Sequence, residues 1–202
     1  MTSELSFRPR VRLPANLTVR FSSEAITAAD PRGWCEQRAE ELLGQRARGR
    51  DVQRLAGCLE EHLEFFRSEM PLITAALCFY PDYSTLPPRA MVQVKAFGGD
   101  RLLSMDEMRN FYATPDEMSV GNTELTETEL QSGPAIRVHW YRKAEPDKRR
   151  SMVVEEIVWL VWPPGSMFTV AMTTSWGQPA FSKAGAVIAD QIARNFRAEP
   201  KS

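Results

Sequence analysis

The chain changes its hydrophobic period once, near Pro71. Before that point apolar side chains recur every three or four residues, and after it they alternate. Val52, Leu55, Leu59, Leu63 and Phe66 form one stripe over 51–68, as a helix buried along one side requires. A shorter helix over about 31–43 precedes it. Asp30-Pro31 supplies its start, because aspartate accepts from the free amides of the first turn and proline suits the first helical position. The glycine- and arginine-rich stretch 44–49 separates the two, so the region 31–68 is predicted to be a helical hairpin. Upstream, residues 1–10 read as a flexible arm, and alternation in 11–14 and 17–21 predicts a short strand or hairpin.

Beyond Pro71 the alternation predicts strands over 72–80 and 90–97, then over 135–143, 152–162 and 167–176. Both alternating faces of 157–162 are apolar, so that strand is expected to be central and covered on both sides. The segment 123–130 is β-branched but acidic, as an edge strand would be. Ser104 and Glu107 form a capping box that opens a short helix ending near Tyr112. Pro163-Pro164-Gly165-Ser166 fits a type II turn between the last two strands. A final helix over about 179–196 brings Phe181, Ala184, Ile188, Ile192 and Phe196 to one face. The expected fold class is α+β: a mostly antiparallel sheet of about six strands flanked by helices, with the helical hairpin as an insertion in a single domain spanning 11–202.

Composition narrows the function. Of 202 residues, 43% are hydrophobic and 25% charged, which is ordinary for a globular chain. Lysine plus arginine (25) nearly balances aspartate plus glutamate (26), so no field strong enough to hold nucleic acid is expected. The longest apolar runs are too short for a membrane span. The first thirty residues lack a continuous apolar stretch, and Cys35, Cys58 and Cys78 are an odd set without paired spacing. Both features predict reduced thiols and a cytoplasmic location.

Few residues of the chain fall into a pattern that chemistry requires. Cys58 and His62, four apart on a helix, are half of a metal site that nothing nearby completes, so no metal is expected. Arg137, His139 and Tyr141 share one side of a strand, opposite Ile136, Val138 and Trp140. They are the best candidates for a polar pocket, against the plainer reading of a solvated sheet face. Glu155 and Glu156 are adjacent, so they point to opposite faces and cannot cooperate as paired carboxylates. One of them is expected to face the interior. No glycine-rich phosphate loop or nucleophile elbow occurs, and no cofactor and no catalytic set are assigned. Arg46, Arg48, Arg50 and Arg54 cluster at the hairpin turn, where they would meet phosphate or an acidic partner, against the plainer reading of a solvated helix end. Trp140, Trp159, Trp162 and Trp176 crowd the C-terminal strands. Trp162 and Trp176, at strand ends, are candidates for partly exposed partner anchors, although core packing is the plainer reading.

The second half has a distinctive order. Leu130-Gln131-Ser132-Gly133-Pro134-Ala135 leads into a strand. A charged turn over 145–150, two long strands and a helix ending in Ile192-Ala193-Arg194-Asn195-Phe196-Arg197 follow. With Leu13-Pro14 near the first strand, this order resembles the PsbP/Mog1-like fold group, which includes photosystem accessory proteins, a regulator of the Ran GTPase, mycobacterial lipoproteins and chaperones of secretion-system effectors. The resemblance covers about 11–21 and 71–197, and the helical hairpin departs from it. The group has no shared active site, so the resemblance implies a docking surface and no catalytic residue. The leading expectation is thus a non-catalytic protein-binding module (adaptor, regulator or chaperone-like) for an unidentified protein partner, with a homodimer left open. The alternative is a carrier of a small or lipid-like molecule in a pocket between sheet and hairpin, motivated by nine methionines and by Phe65 and Phe66. An unfamiliar enzyme using the polar face of Arg137, His139 and Tyr141 ranks third.

Overall fold

The computed structural model describes residues 18–21, 25, 27–44, 47–68, 73–79, 90–98, 101–144 and 152–197. Among them, helices α1 (Pro31–Leu43) and α2 (Gly49–Ser68) form the hairpin. Asp30 caps α1 by accepting from the Gly33 N–H at 2.9 Å. Gly44, at φ 77°, ends it, and its own N–H donates to the Glu40 carbonyl at 2.8 Å. All five stripe residues of α2 are buried, joined by Ala56.

Seven strands of the described residues make one antiparallel sheet: β1 (Thr18–Phe21), β2 (Ile73–Phe79), β3 (Ala90–Gly98), β4 (Ser119–Leu130), β5 (Gly133–Ala144), β6 (Met152–Val161) and β7 (Phe168–Trp176). Their order across the sheet is β1-β2-β3-β7-β6-β5-β4. Two meanders, β1 to β3 and β4 to β7, are therefore stitched together by one non-local pairing, Met91 opposite Ser175 through Gly98 opposite Phe168. The acidic strand β4 lies at an edge, and β6 is buried on both faces over its second half. Gly165, at φ 73°, occupies the third position of the β6–β7 turn, which the Ser166 N–H closes on the Pro163 carbonyl at 3.1 Å. This is the type II geometry that only glycine adopts without strain.

Each face is covered differently. On one face lies the final helix α4 (Ser182–Asn195), introduced by a single 3-10 turn, Pro179–Phe181. Ala189, Ile192, Ala193 and Phe196 pack there on Val92, Val94, Ile157, Trp159, Val170 and Met172. Ala184, expected on the buried stripe, is exposed, and Gly185 takes its place. The reason is Trp176: a Cβ at position 185 would come within 2.6 Å of its indole, so only glycine lets helix and ring approach. The hairpin covers one end of the opposite face, where Phe21, Leu59, Leu63 and Phe66 pack with Ala76 and Cys78. The short helix α3 (Met105–Ala113) covers the other end, setting Met108 over Ile136, Val138, Val158 and Leu160. Its capping box is complete, with Glu107 N–H donating to Ser104 Oγ at 3.2 Å and Ser104 N–H to Glu107 Oε2 at 2.8 Å. Among the described residues no helix is long and apolar enough to cross a membrane.

Candidate functional site

Between the hairpin and α3 the second face is left open. The gap is a cleft of about 430 Å³, within the range of small-molecule sites. Its floor follows from the strand register. Met91 of β3 stands opposite Ser175 of β7, Ser175 opposite Glu156 of β6, and Glu156 opposite Trp140 of β5. One lateral row thus carries a thioether, a hydroxyl, a carboxylate and an indole. The next row brings Gln93, Thr173 and Val158 side by side. Phe65 from the hairpin (42% exposed) and Phe111 from α3 (67% exposed) form the walls.

The polar groups of the cleft are partly matched with one another. Trp140 donates its indole N–H to Glu156 Oε2 at 2.9 Å. Arg142 lies over the Trp140 ring, 4.8 Å from its centroid, and donates from Nη2 to Asp116 Oδ2 at 2.9 Å. Arg142 Nε is buried and has no hydrogen-bond partner. Burial pushes the Glu156 carboxyl above its ordinary range, although Arg142, the Trp140 N–H and Lys95 pull it down. Burial likewise pushes the Tyr112 phenol up to about 12, so it stays a neutral donor beside the Trp140 ring, 5.0 Å between centroids.

The polar face expected from the sequence exists, on the other side of the sheet. Arg137, His139 and Tyr141 lie in line there, but the first two hold α4 in place. Arg137 Nε and the Trp159 indole N–H both donate to Asp190 Oδ1, at 3.0 and 3.2 Å. His139 Nε2 lies 2.8 Å from Glu155 Oε1, which also accepts from Ser182 Oγ at 2.8 Å, while Trp176 donates to Oε2 at 2.9 Å. A carboxylate accepts, so Nε2 donates to Glu155, while Nδ1 lies 3.4 Å from Glu124 Oε2. Burial alone would raise Glu155, yet these three donors outweigh it and hold the carboxyl below its ordinary value. Glu155 is only 6% exposed, and Ser182 and His139 meet the same carboxylate oxygen, so the serine hydroxyl donates to Glu155 and not to the imidazole. That is a buried clasp. Tyr141 is partly exposed with its ring 5.3 Å from that of His139.

Other expected site residues fall elsewhere. Trp162 and Trp176 are buried, at 8% and 3% exposure, which corrects the expectation of partly exposed anchors. The Trp162 N–H donates to the Leu103 carbonyl at 2.7 Å, tying the start of α3 to the sheet, and Trp176 is part of the Glu155 clasp. Arg48 and Arg50 are exposed at the start of α2, and Arg46 lies outside the described residues. Phe65 lines the cleft, whereas Phe66 is core. His62 Nδ1 donates to the Cys58 carbonyl at 2.6 Å, and among the described residues no group of three or more potential ligands could hold a metal. No disulfide joins Cys35, Cys58 and Cys78, and burial pushes Cys35 up to about 11 and raises Cys78 as well. Thiols so raised are poor nucleophiles.

The cleft residues Gln93, Lys95, Tyr112, Trp140, Arg142 and Glu156 were not picked out by sequence reasoning as a site. The available signal was the second polar side chain of the Glu155-Glu156 pair, set in an otherwise apolar strand. No protein-family model matches the chain, and no curated protein matches it in sequence.

Proposed function

We propose that the protein is a non-catalytic binder of a small organic molecule, seated in the cleft between the helical hairpin and α3. The observation that carries this reading is the floor itself. Four strands align Met91, Ser175, Glu156 and Trp140 in one row beneath a gap of about 430 Å³, walled by exposed phenylalanines. Aromatic walls with a few converging polar groups suit a ligand of mixed character. The cleft lies between sheet and hairpin, where a carrier would need it. The protein-partner reading loses two of its anchors, because Trp162 and Trp176 are buried. The resemblance in element order to the PsbP/Mog1-like group supports binding over catalysis without choosing the ligand.

Native mass spectrometry of the protein isolated from its own cells tests the proposal. A recurrent small-molecule adduct is expected, and Ser175→Phe, which fills the floor between Met91 and Glu156, should remove it while the fold persists. A stoichiometric protein partner without any adduct would return the case to an adaptor.

A further inference from the structure

Resting on that reading, the cleft's unmatched groups also specify the charge of its occupant. Arg142 is the decisive residue. Among the described residues only its Nη2 meets an acceptor, Asp116, and its buried Nε meets none. Nε is closed to solvent and therefore to a ligand, but the side chain as a whole is 32% exposed, so the outer edge of the guanidinium is open to an incoming acceptor. Lys95 lines the same cleft from β3, and Gln93, Thr173 and Ser175 add side chains able to donate.

The acidic groups facing the cleft are already engaged. Asp116 accepts from Arg142, from Ser119 Oγ at 2.8 Å and from the Met118 N–H at 3.0 Å. Glu156 accepts from the Trp140 indole. A cationic ligand would want an open aromatic face beside a carboxylate. Here the Trp140 face is taken by the protein's own guanidinium. The arrangement therefore favours an acceptor with negative charge over an ammonium group.

We infer that the cleft takes a small organic carboxylate with an aromatic or aliphatic body, its carboxylate on the guanidinium of Arg142 with Lys95 as second cation, and its body between Phe65 and Phe111. A carboxylate matches the planar fork of arginine better than a point charge would, and this makes Arg142 a specificity residue that lysine cannot fully replace.

The test is a titration of the whole chain with naphthoate, its neutral carboxamide and naphthylmethylammonium. Heat is measured by calorimetry, and the Trp140 indole N–H is followed in proton–nitrogen correlation spectra. Naphthoate is expected to bind about tenfold or more tightly than the carboxamide, with the ammonium weakest, and to move the Trp140 signal. Arg142→Gln should bring naphthoate down to the carboxamide's affinity and Arg142→Lys should restore part of the difference, while Lys143→Gln, an exposed neighbour, should leave it unchanged. Should Arg142→Gln fail to fold, the acid–amide contrast in the natural protein decides alone. Carboxamide or ammonium binding as tight as naphthoate, with the Trp140 signal moving, would overturn the carboxylate assignment and leave the cleft as a ligand seat. No heat and no Trp140 movement with any of the three would overturn both.

Discussion

Glu155 and Glu156 are neighbours in β6, yet the two faces of the sheet treat them in opposite ways. Glu155 faces α4 and receives three donors, from His139, Ser182 and Trp176. Glu156 faces the cleft, and its one described hydrogen bond comes from Trp140. Burial disfavours the charge at both sites, but only at Glu155 do the donors win. The face under α4 is finished: its polar groups answer one another and fix a helix. The cleft face leaves a carboxyl held above its ordinary value and a guanidinium with a buried N–H unanswered. Incompletely satisfied groups cost stability, and they are more readily understood at a site that awaits an occupant than in a finished core.

The sharpest way to break this comparison is Glu155→Ala. It leaves the Trp176 N–H, the Ser182 hydroxyl and His139 without their shared acceptor under a packed helix, and a loss of about 3 kcal/mol is expected. Urea unfolding near neutral pH measures it as a lowered midpoint with an unchanged slope. The pH dependence has a definite sign. Because the folded-state value of Glu155 lies below the unfolded one, the unfolded chain binds more protons between the two values. The stabilisation is fully present above the ordinary glutamate range and is lost as pH falls toward the depressed folded value. The gap between natural and variant protein should therefore narrow on acidification, and a gap independent of pH would mean that the clasp is not ionic.

Gly185→Ala probes the same face by shape alone. The added Cβ would lie 2.6 Å from the Trp176 indole, closer than van der Waals contact permits, so helix or ring must shift. Overpacking of this kind costs about 2 kcal/mol. The near-ultraviolet signal of Trp176 should change along with the unfolding midpoint. An unaltered midpoint would show that α4 docks loosely, and the contrast between a closed and an open face would weaken.

The same contrast explains what was legible in the sequence. Alternation along β5 separates Arg137, His139 and Tyr141 from Ile136, Val138 and Trp140, and the sheet keeps that division. Capping at Asp30 and Ser104 marks two helix starts correctly, because a cap is a local hydrogen bond between residues three apart. The cleft was illegible because it depends on β3 pairing with β7, a partnership between residues about 80 apart that no local period encodes. Only that pairing puts Met91 and Gln93 in rows with Ser175 and Thr173. Burial of Trp162 and Trp176 was hidden for a related reason. Each sits at or just past a strand end, where a helix arriving from elsewhere, α3 through Leu103 and α4 through Gly185, supplies the cover. Even the Ala184 shift is tertiary: a stripe predicted from hydrophobicity cannot know that a glycine is needed against an indole.

The smallest effect is the most diagnostic. Glu156→Gln keeps a carbonyl oxygen to accept from Trp140 but removes the charge. Because the folded-state value of Glu156 lies above the unfolded one, the folded protein binds more protons over that interval, and its stability falls as pH rises through it. The substitution is therefore expected to be neutral in acid, where both forms are uncharged, and stabilising near neutral pH by less than about 1 kcal/mol. Thermal unfolding of both proteins at a low and a neutral pH reads the difference as a change of sign relative to Glu155→Ala. A destabilised Glu156→Gln near neutral pH would show that the carboxylate is fully answered by Lys95 and Arg142. Both cations would then be committed to Glu156, and the cleft would lack the charge that a carboxylate ligand needs.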